Sequence, residues 1–231
     1  MSFYRLLRAP LWLMLLASCH DQAAHPGPGK APGPDVVLEL DGISVTRSEV
    51  ADWYSYLDGL DPRIGHAFRD RQILEQHILP LKFAQRMFRQ HRAELLANAE
   101  ALVKVAPTLA ELASVSKTAE DPKQRGYAPE RATARTDVPL AMARAIFAAD
   151  KLGQVQGPIE TPQGFVVVAN RKLDKGITAF EDRADPWIVL FNTHMAREFD
   201  QWWRGARETA GKRVTYVHPD FKDSLPDWIQ P

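Results

Sequence analysis

Cysteine is nearly absent from this chain: Cys19 is the only one, so no disulfide closes within it and a folded body must be stabilised by its core. An excess of either charge is missing too. The 29 basic and 29 acidic residues balance to a formal net charge of zero, which argues against a nucleic-acid partner held by bulk charge. The apolar run Leu11 to Ser18 is far shorter than the ~20 residues a spanning helix needs, so no transmembrane segment is expected. His20, His25, His66, His77, His91, His194 and His218 show no ligand spacing of the H-E-x-x-H type, and there is no G-x-S-x-G elbow. No metal, no cofactor and no catalytic residue is therefore expected.

What the chain does have begins at its N-terminus. Leu16-Ala17-Ser18-Cys19, closing the apolar run behind Arg5 and Arg8, resembles a bacterial lipobox. The resemblance implies that residues 1–19 are a lipoprotein signal peptide and that Cys19 is acylated through its sulfur and becomes the mature N-terminus. It also implies a lipid-anchored place in the bacterial cell envelope, facing the periplasm or the cell exterior. Several acyl chains hold strongly, since each buried methylene contributes about 0.8 kcal/mol. Residues 20–35 interleave Pro26, Pro28, Pro32 and Pro34 with Gly27, Gly29 and Gly33, a composition with almost nothing to bury. This segment reads as a tether reaching about 3 Å per residue when extended.

Val36 to Leu40 and Ile43 to Val45, on either side of Asp41-Gly42, read as a hairpin. Thr46 and Glu49 form a capping-box pair, predicting a helix with Val50, Trp53, Tyr54 and Leu57 on one face until Asp58-Gly59 and Asp61-Pro62 end it. From Phe68 to about Val105 apolar residues recur at helical spacing, and Pro80 predicts a kink or break near His77. Arg69, Arg71, Lys82, Arg86, Arg89 and Arg92 form the polar stripe of this segment, either a solvated face or a seat for an acidic ligand. After Pro107 a helix is expected at Leu109 to Ala113. Gly153 suits a left-handed helix end, Gly157-Pro158 a bend into a strand, and Thr161 to Gly164 a turn before a buried strand from Phe165 to Ala169. Helices are expected from about Pro186 to Arg197 and on through Trp202 and Trp203 to Ala210. Val214 to Val217 reads as a strand, and 218–231 as an irregular tail with Trp228 docked or loose.

Asp41-Gly42-Ile43-Ser44-Val45-Thr46-Arg47-Ser48-Glu49-Val50 resembles the opening of the chaperone domain in SurA-like and PrsA-like foldases, where V-D-G-x-x-I-T-x-x-E/D leads into helices. Leu109-Ala110-Glu111-Leu112-Ala113, Ser116, Asp121-Pro122 and Gly126 resemble the parvulin run F-x-E-L-A-x-x-x-S-x-D-P and its glycine turn. Ala145-Ile146-Phe147-Ala148, followed by Gly153 to Val168, resembles the parvulin signature A-x-F-A-L-x-x-G-x-V-S-G-P-V-x-T-x-x-G-x-H-I-I. The resemblance implies an α+β protein. A helical SurA-like chaperone module would be built from both chain ends, 36–105 completed by 175–217. A small parvulin-like antiparallel sheet domain would span 106–174.

The resemblance further implies a peptidyl-prolyl isomerase-type groove for unfolded or proline-containing exported polypeptides, with Val138, Met142, Phe147 and Phe165 as its apolar residues. Core packing is the competing role for Met142, Phe147 and Phe165. The polar positions of the family depart from its pattern. Val166 occupies the slot of a histidine, no histidine-bearing strand is recognisable before Pro107, and Lys117, Thr118 and Ala119 stand where a cysteine or aspartate is usual. The expected activity is therefore chaperone-like binding. An isomerase with an altered site and a structural envelope lipoprotein are the alternatives.

Overall fold

Val36–Leu40 (β1) and Ile43–Thr46 (β2) pair antiparallel across a two-residue turn, in which Asp41 and Gly42 both have positive φ, 50° and 73°. That combination is the type I′ geometry whose twist matches the flanking strands. The computed structural model describes residues 33–119, 124–192 and 196–231. Cys19, the signal segment, nearly all of the tether and the Asp121-Pro122 pair lie outside these residues.

The hairpin feeds helix α1 (Arg47–Leu60). Thr46 accepts from the Glu49 N–H through its side chain, and the Glu49 carboxylate accepts the Thr46 N–H at 2.9 Å, closing the expected capping box. Removing the hydroxyl with Thr46→Ala is expected to cost about 1 kcal/mol in denaturant unfolding, with Thr46→Ser close to wild type. Helix α2 (His66–Ile73) runs into a π-helical turn, Leu74–Ile78, and then into α3 (Leu79–Met87), with Pro80 in its first turn. Pro80 has no N–H to give the carbonyl four residues back, and the widened turn containing His77 is the expected irregularity. A second break, which the apolar periodicity does not foretell, falls at Phe88 before α4 (Arg89–Val105).

Beyond Pro107 come α5 (Leu109–Lys117), the short strand β3 (Gly126–Tyr127), α6 (Leu140–Ile146) and the hairpin β4 (Val155–Thr161) with β5 (Gly164–Asp174). Strand β6 (Arg183–Asn192), helix α7 (Ala196–Ala210) and strand β7 (Val214–Val217) follow. Gly153 takes φ 75°, and β4 shifts register between Gln156 and Ile159, around Gly157-Pro158. The strands form two antiparallel sheets, ordered β2-β1-β7 and β3-β6-β5-β4. The fold is α+β.

The segment from Pro186 onward corrects the expected helix, because β6 is a central strand paired with β5 along most of its length. A run buried on both sides carries no periodicity to tell strand from helix, and Trp187-Ile188-Val189-Leu190-Phe191 is rich in the β-branched and aromatic residues that suit a sheet. Pro186 is tolerated because it faces Asn170, where the register with β5 shifts. The side chain of Asn170 fills the irregularity, accepting the Asp185 and Lys172 N–H groups and donating to the Ile146 carbonyl at 3.0 Å.

Elements on both sides of positions 105 and 175 meet in the larger sheet. Helix α4 packs on the four-stranded sheet through Ala99, with Leu95, Leu96, Leu102 and Val103 around it, and β6 belongs to that sheet, so the sheet layer runs from 89 to 192. The described residues cluster as one compact unit.

The first and last strands of the described residues meet in the smaller sheet, where β1 lies between β2 and β7. Its core includes Leu38, Leu40, Val45, Ile73, Leu74 and Leu79. Trp202 and Trp203 pack against Phe83 and Phe199. The tail is anchored, with Phe221, Leu225 and Ile229 buried and Trp228 edge-on to Trp203. No helix among the described residues is long and apolar enough to cross a membrane.

Candidate functional site

Alternation along β5 decides where the expected groove residues go. Phe165, Val167 and Ala169 point to the α4–α5 side and pack with Ala99 and Leu112. Val166 and Val168 point to the α6 side and pack with Met142, Ile146 and Phe147, against which Val138 leans. Val138, Met142 and Phe147 are thus brought together, and Phe165 is separated from them by the sheet. Met142 and Phe147 are buried, and Val166 lies among them. Ser116 and Gly126 meet at Trp187, whose indole N–H donates to the Ser116 hydroxyl at 2.9 Å. A Cβ on Gly126 would collide with both side chains, so this glycine lets β3 pass directly over them.

Each side of the sheet has its own hollow. On the α6 side, a cavity of about 320 Å³ lies between α1, α2, the π-helical turn and the segment leading into α6. Its walls are mainly apolar, formed by Leu57, Leu60, Ile64, Val138, Leu140 and Ala143, with Phe180 at 41 % exposure beside them. Gln72 and Gln76, one helical turn apart, also line it. Neither amide has a side-chain hydrogen bond among the described residues, so each retains a donor and an acceptor that match a peptide group.

Two buried arginines complete this cavity. Arg69 donates to Asp58 at 2.5 Å and to the Asp61 carbonyl at 3.0 Å, while its Nε–H is buried and unpartnered among the described residues. Arg135 donates to the Tyr56 hydroxyl at 3.1 Å, the Ala179 carbonyl at 2.7 Å and Asp182 at 2.8 Å. Its guanidinium lies 4.3 Å from the centre of the Phe147 ring. Burial pushes the Tyr56 hydroxyl above its usual pKa, partly opposed by the Arg135 charge. Tyr56 therefore stays a neutral donor whose oxygen is held by Arg135. Among the cavity residues, only Val138 is legible from its position before Phe147. Tyr56, Gln72, Gln76, Arg135 and Phe180 come from distant elements and carry no local signal.

On the α4 side, an open groove of about 530 Å³ runs between the β1–β2 turn, α3, α4 and the end of β4, and Phe165 lines it. The polar stripe, expected as either a solvated face or a seat for an acidic ligand, is in part interior: Arg69 and Arg92 are buried, at 3 % and 5 % exposure. Arg92 donates to Glu160 at 2.8 Å and to the Thr161 and Pro162 carbonyls. The β4–β5 turn is thereby fastened to α4.

Among the described residues, no three His, Cys, Asp or Glu side chains gather as metal ligands would. Comparison with protein-family models, with curated proteins and with solved structures gives no match.

Proposed function

We propose that this protein is a foldase or chaperone of the parvulin type that is tethered to a bacterial membrane through Cys19 and binds unfolded exported polypeptides. The parvulin-like signature from Ala145 to Val168 and the SurA-like opening from Asp41 to Val50 support the family, and an α+β fold with a small antiparallel sheet is compatible with it. In this reading, among the described residues the four-stranded sheet takes no strand from before Pro107, and β6, from later in the chain, supplies the additional sheet strand.

The observation that carries the functional reading is the α6-side cavity. It combines apolar walls, the amides of Gln72 and Gln76, which have no side-chain hydrogen bond among the described residues, and a partly exposed Phe180, and its size suits one apolar side chain with its flanking peptide groups. Amide and backbone can pair while the side chain is buried, a mode that tolerates many sequences. Among the described residues, no imidazole lines the cavity. Preferential stabilisation of a twisted Xaa-Pro amide would rest on Arg135 and Tyr56, both already engaged with protein partners, so binding is favoured over turnover.

The test is suppression of aggregation of a chemically unfolded client, measured beside isomerisation of a short proline peptide. Val138→Asp and Phe180→Asp are expected to weaken client binding about tenfold, as loss of an apolar contact worth 1–2 kcal/mol does. Thermal unfolding reports whether each variant remains folded. Client protection unchanged in both variants would remove this cavity as the binding seat. Fast isomerisation that is lost in Val138→Asp would make the protein an enzyme.

A further inference from the structure

We infer that the groove on the α4 side is a second binding site, for an extended polypeptide segment in which acidic residues alternate with apolar ones. Lys82, Arg86, Arg89 and Arg92 line it at spacings of four, three and three residues. The helical path continues across the Phe88 break, because Phe88 N–H donates to the Ala84 carbonyl at 2.9 Å and Arg92 N–H to the Phe88 carbonyl at 3.0 Å. The four side chains therefore form one row.

The charge of this row is incompletely balanced. Lys82 pairs with Glu49 at 2.6 Å, Arg92 with Glu160 at 2.8 Å, and Asp41 serves both Arg86 at 2.9 Å and Arg213 at 2.6 Å. Arg89 is exposed and has no ionic partner among the described residues. The four cations of the row thus meet three carboxylates, one of which is shared with Arg213 outside it, leaving the row positive in a protein whose total charge is zero. Arg92, itself 5 % exposed, also keeps a buried Nε–H without a partner among the described residues.

Geometry and the apolar surface select the occupant. Neighbours three or four apart on a helix lie about 5–6 Å from each other, and alternate side chains of an extended strand recur about every 6.6 Å. A segment of alternating acidic and apolar residues would therefore set successive carboxylates along the row. Its intervening side chains would meet Ile43, Leu96 and Phe165, which line the same groove. A lone phosphate or lipid headgroup engages one or two cations and leaves this apolar strip uncovered. The groove is lined on the far side of the sheet from the Val138 cavity, so the inference does not depend on that cavity binding clients.

Fluorescence anisotropy with the full-length chain tests it, using labelled nine-residue peptides that alternate valine with glutamate, serine or lysine. The glutamate peptide is expected to bind about tenfold more tightly than the serine peptide at about 50 mM salt, and to weaken as salt rises. Arg89→Glu is expected to reduce its affinity about tenfold, while Lys104→Glu, the same charge change near the other end of α4, should alter it less than about twofold. Arg89 is exposed, and unchanged thermal unfolding of Arg89→Glu secures the comparison. Equal binding of glutamate and serine peptides, or equal effects of the two charge reversals, overturns the inference. So does binding to phosphatidylglycerol vesicles or inorganic phosphate that is lost in Arg89→Glu while the glutamate peptide fails to bind, which would assign the groove to phosphate groups. The Val138→Asp protein should bind the glutamate peptide as wild type does, which separates this site from the cavity.

Discussion

Asp182→Ala is expected to lower the unfolding free energy by about 3–5 kcal/mol, the range for breaking a buried ion pair from one side. The side chains of Arg135 and Asp182 are 8 % and 4 % exposed and meet at 2.8 Å. Asp182 also accepts the Gly176 N–H at 3.0 Å and the Lys175 ammonium at 3.4 Å. Truncation strands the Arg135 guanidinium in the interior and leaves the 175–182 loop without its acceptor. Replacing both partners by apolar residues, Arg135→Met with Asp182→Leu, removes the stranded charge and is expected to recover much of the loss. Urea unfolding of the two single variants and the double variant measures the coupling; a cost under about 1 kcal/mol for Asp182→Ala would show that the pair is not the anchor of this loop. Burial pushes the Asp182 carboxyl up, but the hydrogen bonds from Gly176 and Arg135 and the Lys175 charge outweigh it and hold the group below the ordinary carboxylate range. Its contribution is present above the unfolded value near pH 4 and disappears as pH falls through the lower folded value.

Acidification is expected to destabilise the protein through His77. The ring is 7 % exposed, sits in the π-helical turn and lies 4.1 Å from the centre of the Trp53 ring. Burial lowers its pKa to about 4; Glu160 opposes the shift slightly, and Arg144, stacked on Trp53, adds to it. In the unfolded chain a histidine titrates near pH 6.5. Between those values the unfolded state binds a proton that the folded state refuses, so stability falls as pH drops from about 6.5 to about 4, and the accumulated loss is about 3 kcal/mol. A His77→Phe protein should lose this slope while keeping the aromatic contact. Unfolding free energies at pH 7, 6, 5 and 4 for both proteins decide the matter, and parallel curves would mean that His77 is protonated without cost.

Much of the local architecture is legible in the residues because its causes are local. The Asp41-Gly42 turn, the Thr46–Glu49 cap, the irregularity before Pro80 and the turn at Thr161 to Gly164 each rest on interactions within a few positions of the chain. β6 was hidden because continuous apolarity suits a buried strand and a buried helix alike, and Pro186 fits a helix start as readily as a register shift. Arg69 and Arg92 sit in a stripe that looks uniformly solvated. What sets Arg92 apart is Glu160, 68 positions away in the chain, a partner that no periodicity announces. For the same reason only one wall of the Val138 cavity was visible. The fall of Phe165 on the opposite side follows from the two-residue repeat of a strand, once β5 is known to be covered on both sides.

The pairing of β1 with β7 carries a consequence for biosynthesis. Thr215 reaches back to Glu39 across 176 positions, so β1 has one flank open until the chain has been made as far as β7. Closing so long a loop is slow compared with forming the local hairpin. Until then that bare edge is open to mispairing with another chain.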